Sequence, residues 1–454
     1  MSGPKVGLAF FPAFDWAISP THPEREERLL YTRDQIEEEG LWDLPNLVRL
    51  QPRLATDHEI ARVHICVPTV QEEVPTPHRV AAGAAVVSGM AVLEGQVERA
   101  FVLVRPPGHH AHRVVRGQRG FCLINNEAIM IEALRRAALA RDGRRLRVAI
   151  VDTDAHHADG SQDIYYNDPD ILHICIHQDG RTLYPGTGFV HELGGPGAYG
   201  LTINVPVPPY TGDEGLLYIM DNLVRPLLDD FQPDLVVNGA GQDNHYSDPL
   251  TNMMVSAQGY AQLTEKLRPD IVVLEGGYSV EGALPYVNVG ILLALAGQDT
   301  GRVREPDYDA GALRQAPQVT EYIHRLVDQI RQIWEHRREL AEENLAKLGV
   351  GPNQWLERQR TIYYDTDDIL EEQDEAIRIC PDCSGVRIIR SAAQRQGIAG
   401  PLPTAHIVVL PPDACPACRQ KAEERYQAWR AKGEKYVYLQ DGPDDVSYQN
   451  GDSV

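Results

Sequence analysis

The chain has 454 residues, 43% of them hydrophobic, which is enough to bury a large core and too many for a single one, since cores stop growing at roughly 250–300 residues. A formal charge of -22 argues against nucleic acid phosphates or anionic membranes as partners and favours cationic ligands such as basic peptides or polyamines. No run reaches the ~18–20 apolar residues of a membrane span, and MSGPKVGLAFFPAFDWAISP lacks the basic start and unbroken apolar core of a secretion signal, so a soluble cytoplasmic protein is expected.

In chain order, VGLAF (6–10), AFVLV (100–104), LRVAIVD (146–152), LHICI (172–176), LTINV (201–205), DLVVNGA (234–240) and DIVVLE (270–275) predict strands. Each is apolar almost throughout, as expected of a parallel sheet with helices on both faces, and longer helical patterns separate them. Between about 310 and 348, QVTEYIHRLVDQIRQIWEHRRELAEENLAKL repeats apolar residues every three or four positions and predicts one or two amphipathic helices. DTDDILEEQDEA (365–376) is acidic and reads as a linker in preference to a solvated helix, and the polar, Gly- and Asp-rich end after Tyr438 reads as disordered. The expected organisation is a main domain over 1–345, a helical and acidic linker over 346–376, a cysteine-bearing module over 377–436 and a disordered tail over 437–454.

In an open α/β sheet, ligands bind beyond the carboxyl ends of the strands. Here those ends carry RPPGHHA, DTDAHHADG, GAGQDNH and EGGYS, so four separate loops bring His, Asp and Tyr to one rim. Asp154 and His156, two residues apart past a buried strand, can turn the same way toward a metal, and Asp243 is the natural third donor. A hydrolytic zinc site needs three such N and O ligands and one open position. Taken singly, each Asp would favour capping a helix or pairing with an arginine. Adjacent His109 and His110, in a loop stiffened by Pro106 and Pro107, suit a general base and a general acid, because imidazole titrates near the working pH.

Together these loops resemble the histone deacetylase family, which includes acetylpolyamine amidohydrolases and shares its fold with the arginases. The resemblance rests on RPPGHHA (105–111), GFCLINNEAI (120–129), VDTDAHHADGSQDIYYNDP (151–169), LYPGTG (183–188), GAGQDNHYSDPL (239–250) and LEGGYS (274–279), with HPEREERL (22–29) as its N-terminal segment. It covers roughly residues 5 to 340 and implies an arginase/deacetylase α/β fold. It also implies one catalytic Zn2+ on Asp154, His156 and Asp243, with Asp152 bonded to His109 and Asp159 to His110. His110 would be the proton shuttle, and Tyr278 would donate a hydrogen bond to the substrate carbonyl. Gly120, Phe121 and Tyr184 resemble the lining of the tunnel that takes the acyl-lysine stem. Polyamine-specific relatives carry a Glu where this chain has Leu250, which favours acyl-lysine. The arginases hold two manganese ions with a D-x-H-x-D pattern, and Ala158 removes its last carboxylate. A structural K+ is a further cofactor of the family, and Cys175 stands near that site in place of a Ser. Gln242 replaces an aromatic or apolar residue beside the third ligand.

CPDC (380–383) and CPAC (415–418) lie 31 residues apart around the β-like runs VRII and HIVVL. Cys380, Cys383, Cys415 and Cys418 therefore predict a zinc-ribbon-like module closed by one structural Zn2+. The expected activity is hydrolysis of an acylated lysine on a peptide or protein. Hydrolysis of an acetylated polyamine or other small amine, and a non-catalytic adaptor working through the ribbon, are the alternatives. An oligomer is compatible with the sequence.

Overall fold

The computed structural model describes residues 3–398 and 400–453. All seven expected strands form, in one parallel sheet: β1 (Val6–Phe11), β3 (Arg99–Val104), β4 (Val148–Asp152), β5 (Ile171–Gln178), β6 (Thr202–Val207), β7 (Leu235–Ala240) and β8 (Ile271–Leu274). An eighth, β2 (Leu47–Leu50), was not visible in the sequence because it is short and lies at the sheet edge, where only part of each side chain is covered. The order is β2-β1-β3-β8-β7-β4-β5-β6, and every pairing is parallel.

The near-continuous apolar composition follows from two covered faces. Along β3, Phe101 and Leu103 enter one core while Ala100, Val102 and Val104 enter the other, and along β4 Ala149 and Val151 alternate with Val148 and Ile150 in the same way. Helices α1 (Thr76–Leu93) and α2 (Asn126–Asp142) cover one face; α3 (Ala257–Leu267), α4 (Leu284–Leu295) and α5 (Pro317–Glu335) cover the other. The Asn125 side chain caps α2 by accepting from the Ala128 N–H, and Gly143, at φ +69, ends it. The amphipathic stretch forms two helices, α5 and α6 (Arg337–Leu348). None of the described helices is long and apolar enough to cross a membrane.

The C-terminal region corrects two expectations. A seven-stranded mixed sheet, β9 (Trp355–Tyr364), β10 (Ile369–Arg378), β11 (Arg387–Arg395), β12 (Pro401–Leu410), β13 (Tyr436–Asp441), β14 (Val446–Gln449) and β15 (Asp452–Ser453), pairs in chain order, with α7 (Pro416–Ala431) crossing between the parallel β12 and β13. The acidic stretch 365–376, expected as a linker, is therefore a hairpin turn and most of an inner strand. Its alternation is real, but the inward residues Glu371, Gln373 and Glu375 are polar, so the usual apolar signal is missing. The two carboxylates are paired inside: Glu375 pairs with Arg358 and Arg387, and Glu371 accepts from the Tyr364 hydroxyl at 2.7 Å and from Ser391. The tail expected to be disordered supplies β13, β14 and β15. Val437 and Leu439 pack into the module core, and Gln440 and Ser447 both donate to the Ala61 carbonyl.

This module is docked on the main domain rather than tethered to it. Arg387 of β11 reaches Asp163 at 2.7 Å, Arg360 of β9 bonds the same carboxylate, Arg116 grips Ser391 and the Pro403 carbonyl, and the Tyr364 hydroxyl lies 2.9 Å from the Val114 carbonyl oxygen. Breaking one member of such a buried pair costs about 3–5 kcal/mol.

Candidate active site

The strands β3, β8, β7 and β4 are neighbours in the sheet, so the loops after them meet above its centre. The loop after β4 delivers Asp154 and His156, and the loop after β7 delivers Asp243. One donor atom from each lies within 4.8 Å of the others. His156 Nδ1 is 3.1 Å from Asp154 Oδ1 and 2.9 Å from Asp243 Oδ2. Both carboxylates are fully buried, and burial together with the charge of Asp154 pushes Asp243 up to about 7. Two carboxylates forced together out of water beside an imidazole nitrogen are a poor arrangement for a protein alone and a good one for a divalent cation, so the donor set fits a metal. Glycine is required at 276: a Cβ there would collide with the carboxylates of Asp243 and Asp154, and its N–H instead donates to Asp154 at 2.7 Å.

Beside this centre stand two His–Asp pairs. His109 Nδ1 is 3.1 Å from Asp152, and His110 Nδ1 is 2.7 Å from Asp159. All four groups are buried. Burial acts to lower the His109 pKa, but the carboxylates of Asp154 and Asp152 outweigh it and hold the ring well above its ordinary value. That elevation scales with the negative charge those carboxylates keep. Burial, then the neighbouring His109, lowers His110 to about 3, so His110 is a neutral ring with Nε2 free.

Tyr278, after β8, is 8% exposed, and burial pushes its phenol well above the usual value, keeping it a proton donor. Its ring packs edge-on to Phe121 at 5.3 Å, and its N–H is held by Asp248 at 2.7 Å. Asp248 also accepts the N–H of Leu250, which is half-buried, so one carboxylate ties Leu250 to the tyrosine turn. Gly120 (φ +51) and Phe121 (φ +70) are both left-handed. A Cβ at 120 would run into the His110 ring, so only glycine allows this approach. Tyr184 sets its ring edge-on to His110 at 5.3 Å and lies 6.5 Å from His156, completing a wall with Phe121. Cys175 is buried, and burial keeps its thiol neutral. Gln242 is buried and bonded to Asn288, turned from the donors.

Several supporting residues were not visible in the sequence. Fully buried Arg28, from HPEREERL, donates to the Gly277 carbonyl at 2.8 Å and lies 4.8 Å over the Tyr278 ring, fixing the turn that presents the tyrosine. Arg119 donates twice to Asp159, at 3.0 and 2.6 Å, and once to the Tyr363 carbonyl of β9 at 2.6 Å. Glu275 accepts from the N–H groups of Gly108 and His109 at 2.7 and 3.0 Å, stiffening the histidine loop.

The four cysteines also converge, with sulfur atoms within 4.8 Å of one another. Cys380 and Cys383 follow β10, while Cys415 immediately precedes α7 and Cys418 lies in its first turn. The long gap between the pairs is occupied by β11 and β12. Arg378 donates to Cys418 at 2.9 Å and to Cys380 at 3.2 Å, as a cation does beside thiolates.

Residues 67–288 match the histone deacetylase domain family. A probable deacetylase of Archaeoglobus fulgidus is 41% identical over 316 residues, covering 64% of this chain and 85% of that protein. A histone deacetylase-like amidohydrolase of Pseudomonas aeruginosa is 34% identical over 291 residues, 62% of this chain and 70% of its own length. The crystal structure of the HDA15 HD domain superposes with a TM-score of 0.62 at 24% identity over 76% of this chain and 99% of that one, which speaks to the fold. With that fold, those relatives and this convergence of donors, the chain belongs to the histone deacetylase family of amide hydrolases.

Proposed function

We propose that the chain is a zinc-dependent deacylase of N-acyl-lysine. The observation that carries this is the meeting of Asp154, His156 and Asp243 beside two His–Asp pairs and Tyr278. A Zn2+ held by those three donors would polarise an acyl carbonyl and make a water acidic near neutral pH. Asp159 fixes the Nδ1–H tautomer of His110, leaving Nε2 to take a proton from the attacking water and return it to the departing amine. His109, held by Asp152 at 3.1 Å, stands next to it as the second imidazole of the proton-transfer pair. Tyr278 donates to the acyl oxygen as charge develops there, a contribution of about 3–4 kcal/mol for a donor in comparable sites. Gly120, Phe121 and Tyr184 line the passage for a methylene stem, and Leu250 adds no charge at its rim.

The Cys380, Cys383, Cys415 and Cys418 cluster would hold a second, structural Zn2+. For a K+ site, Cys175 offers only a neutral, soft sulfur, so such an ion would depend on oxygen donors. Reduced cysteines in paired C-x-x-C turns suit the cytoplasm. Acetylated polyamines remain a second substrate class, favoured by the charge of -22 and opposed by Leu250. The test is kcat/KM on acetyl-lysine peptides and on acetylspermidine, with metal analysis of the same preparation. Higher values on the peptides are expected. The reverse order would overturn the substrate, and inertness toward both with metal bound would leave the adaptor reading.

A further inference from the structure

The turn between β9 and β10, residues 365–368, reaches back over the active-site wall, although its sequence lies outside the stretch matched by the family. Asp365 Oδ1 accepts from the Gly120 N–H at 2.9 Å and from the Tyr184 hydroxyl at 3.0 Å. Tyr184 spans the wall: its ring lies against buried His110, while the residue as a whole is 36% exposed. Asp365 is bonded to its hydroxyl end and so stands at the outer mouth of the passage.

The charges around it are unequal. Asp367 is paired with Arg395 at 3.2 Å and accepts the Gln118 N–H; Asp368 accepts the Tyr363 hydroxyl. Arg119, 5.5 Å over the Tyr184 ring, is committed to Asp159, and the His22 ring against Phe121 is lowered from its ordinary pKa by burial. Among the described residues Asp365 has no cationic partner, and its Oδ2 accepts no hydrogen bond. A half-exposed carboxylate left in this state has one free acceptor oxygen to offer a cationic ligand. A four-carbon stem spans roughly 6 Å, about the length of the Tyr184 side chain, so whatever follows the acylated amine emerges beside Asp365.

We propose that Asp365, contributed by the C-terminal module, is a specificity-determining residue that receives a cationic nitrogen of the substrate just outside the acyl passage. The nitrogen can belong to a basic residue flanking an acyl-lysine or to the next amine of an acylated polyamine. The inference rests on the deacylase reading above, and its test separates the two.

Asp365→Asn keeps the oxygen used by Gly120 and Tyr184 and removes only the charge. Wild type and variant are compared on acetyl-lysine peptides with an arginine or an alanine neighbour and on acetylspermidine, by kcat/KM and by calorimetric Kd. The wild type should favour the arginine peptide, and the variant should lose about three- to tenfold of that preference, as expected for one charged hydrogen bond at a half-exposed site. Asp365→Lys should turn the preference toward a glutamate neighbour, which a merely structural role would not do. Loss confined to acetylspermidine, or to the peptides, identifies the source and supports the inference. Turnover with an unchanged ratio for every substrate overturns it and leaves the deacylase reading intact. Binding with the charge preference but without turnover overturns the deacylase reading alone, and neither binding nor turnover overturns both.

Discussion

Replacing Arg119 with Met should damage stability and turnover together, because one guanidinium joins three parts of the site. It makes two hydrogen bonds to Asp159, one to the Tyr363 carbonyl, and lies 5.5 Å over the Tyr184 ring. Burial alone would raise the Asp159 pKa; Arg119 first, then His110 and His112, outweigh it and hold the carboxyl well below its ordinary range. Methionine fills similar space but strands that carboxylate. Asp159 keeps two imidazole partners, so the loss should sit near the low end for a broken buried pair, about 3 kcal/mol. A depressed carboxyl pKa stabilises the fold fully above the ordinary aspartate value and loses that contribution as pH falls toward the folded-state value. The gap between wild type and variant should therefore be full at pH 7 and narrow below about pH 4. Catalysis should fall by about 10–100-fold, the usual effect of losing a group that orients a working histidine. Urea titration at both pH values, kcat/KM on an acetyl-lysine peptide, and a double-mutant cycle with Asp159→Asn give the three numbers. A variant as stable and as active as the wild type, or one whose deficit does not change with pH, would refute the coupling of this arginine to His110.

His110→Ala and Tyr278→Phe should each lower turnover by about 10²–10³-fold while zinc content and thermal stability stay near the wild-type values; undiminished turnover in either would remove that residue from the chemistry. Replacing Cys380 and Cys383 by Ser should release one of two zinc ions and loosen the module, since metal binding there is folding energy. Because the module supplies Asp365 and the Tyr363 carbonyl to the wall, activity should drop more than about tenfold, by the same loss of orientation. Full activity after loss of that zinc would mean that the main domain builds its wall alone.

Much of the main domain was legible because its strands are covered on both faces, which forces apolar residues into unbroken runs such as VAIVD and IVVL. The donors were legible for a related reason: Asp154, His156 and Asp243 follow those runs directly, where chemistry is exposed at strand ends. The module was misread where its inward face is ionic. Glu371 and Glu375 look like solvated charges until the arginines and hydroxyls that meet them are known. Arg119 and Asp365 escaped notice because they work across the chain, through partners about 245 residues away in sequence. Nothing in the sequence around CPDC marks a hairpin that returns to the active site.

On the proposed reading, Asp154, His156 and Asp243 together bind the ion on which amide hydrolysis depends. The most direct measurement is metal stoichiometry of the wild type and of Asp243→Ala, each paired with hydrolysis of an acetyl-lysine peptide. Two zinc ions per chain with activity in the first, and one ion, retained on the four cysteines, without activity in the second, is the expected result. Equal metal content in both proteins, or hydrolysis that survives the substitution, would contradict it.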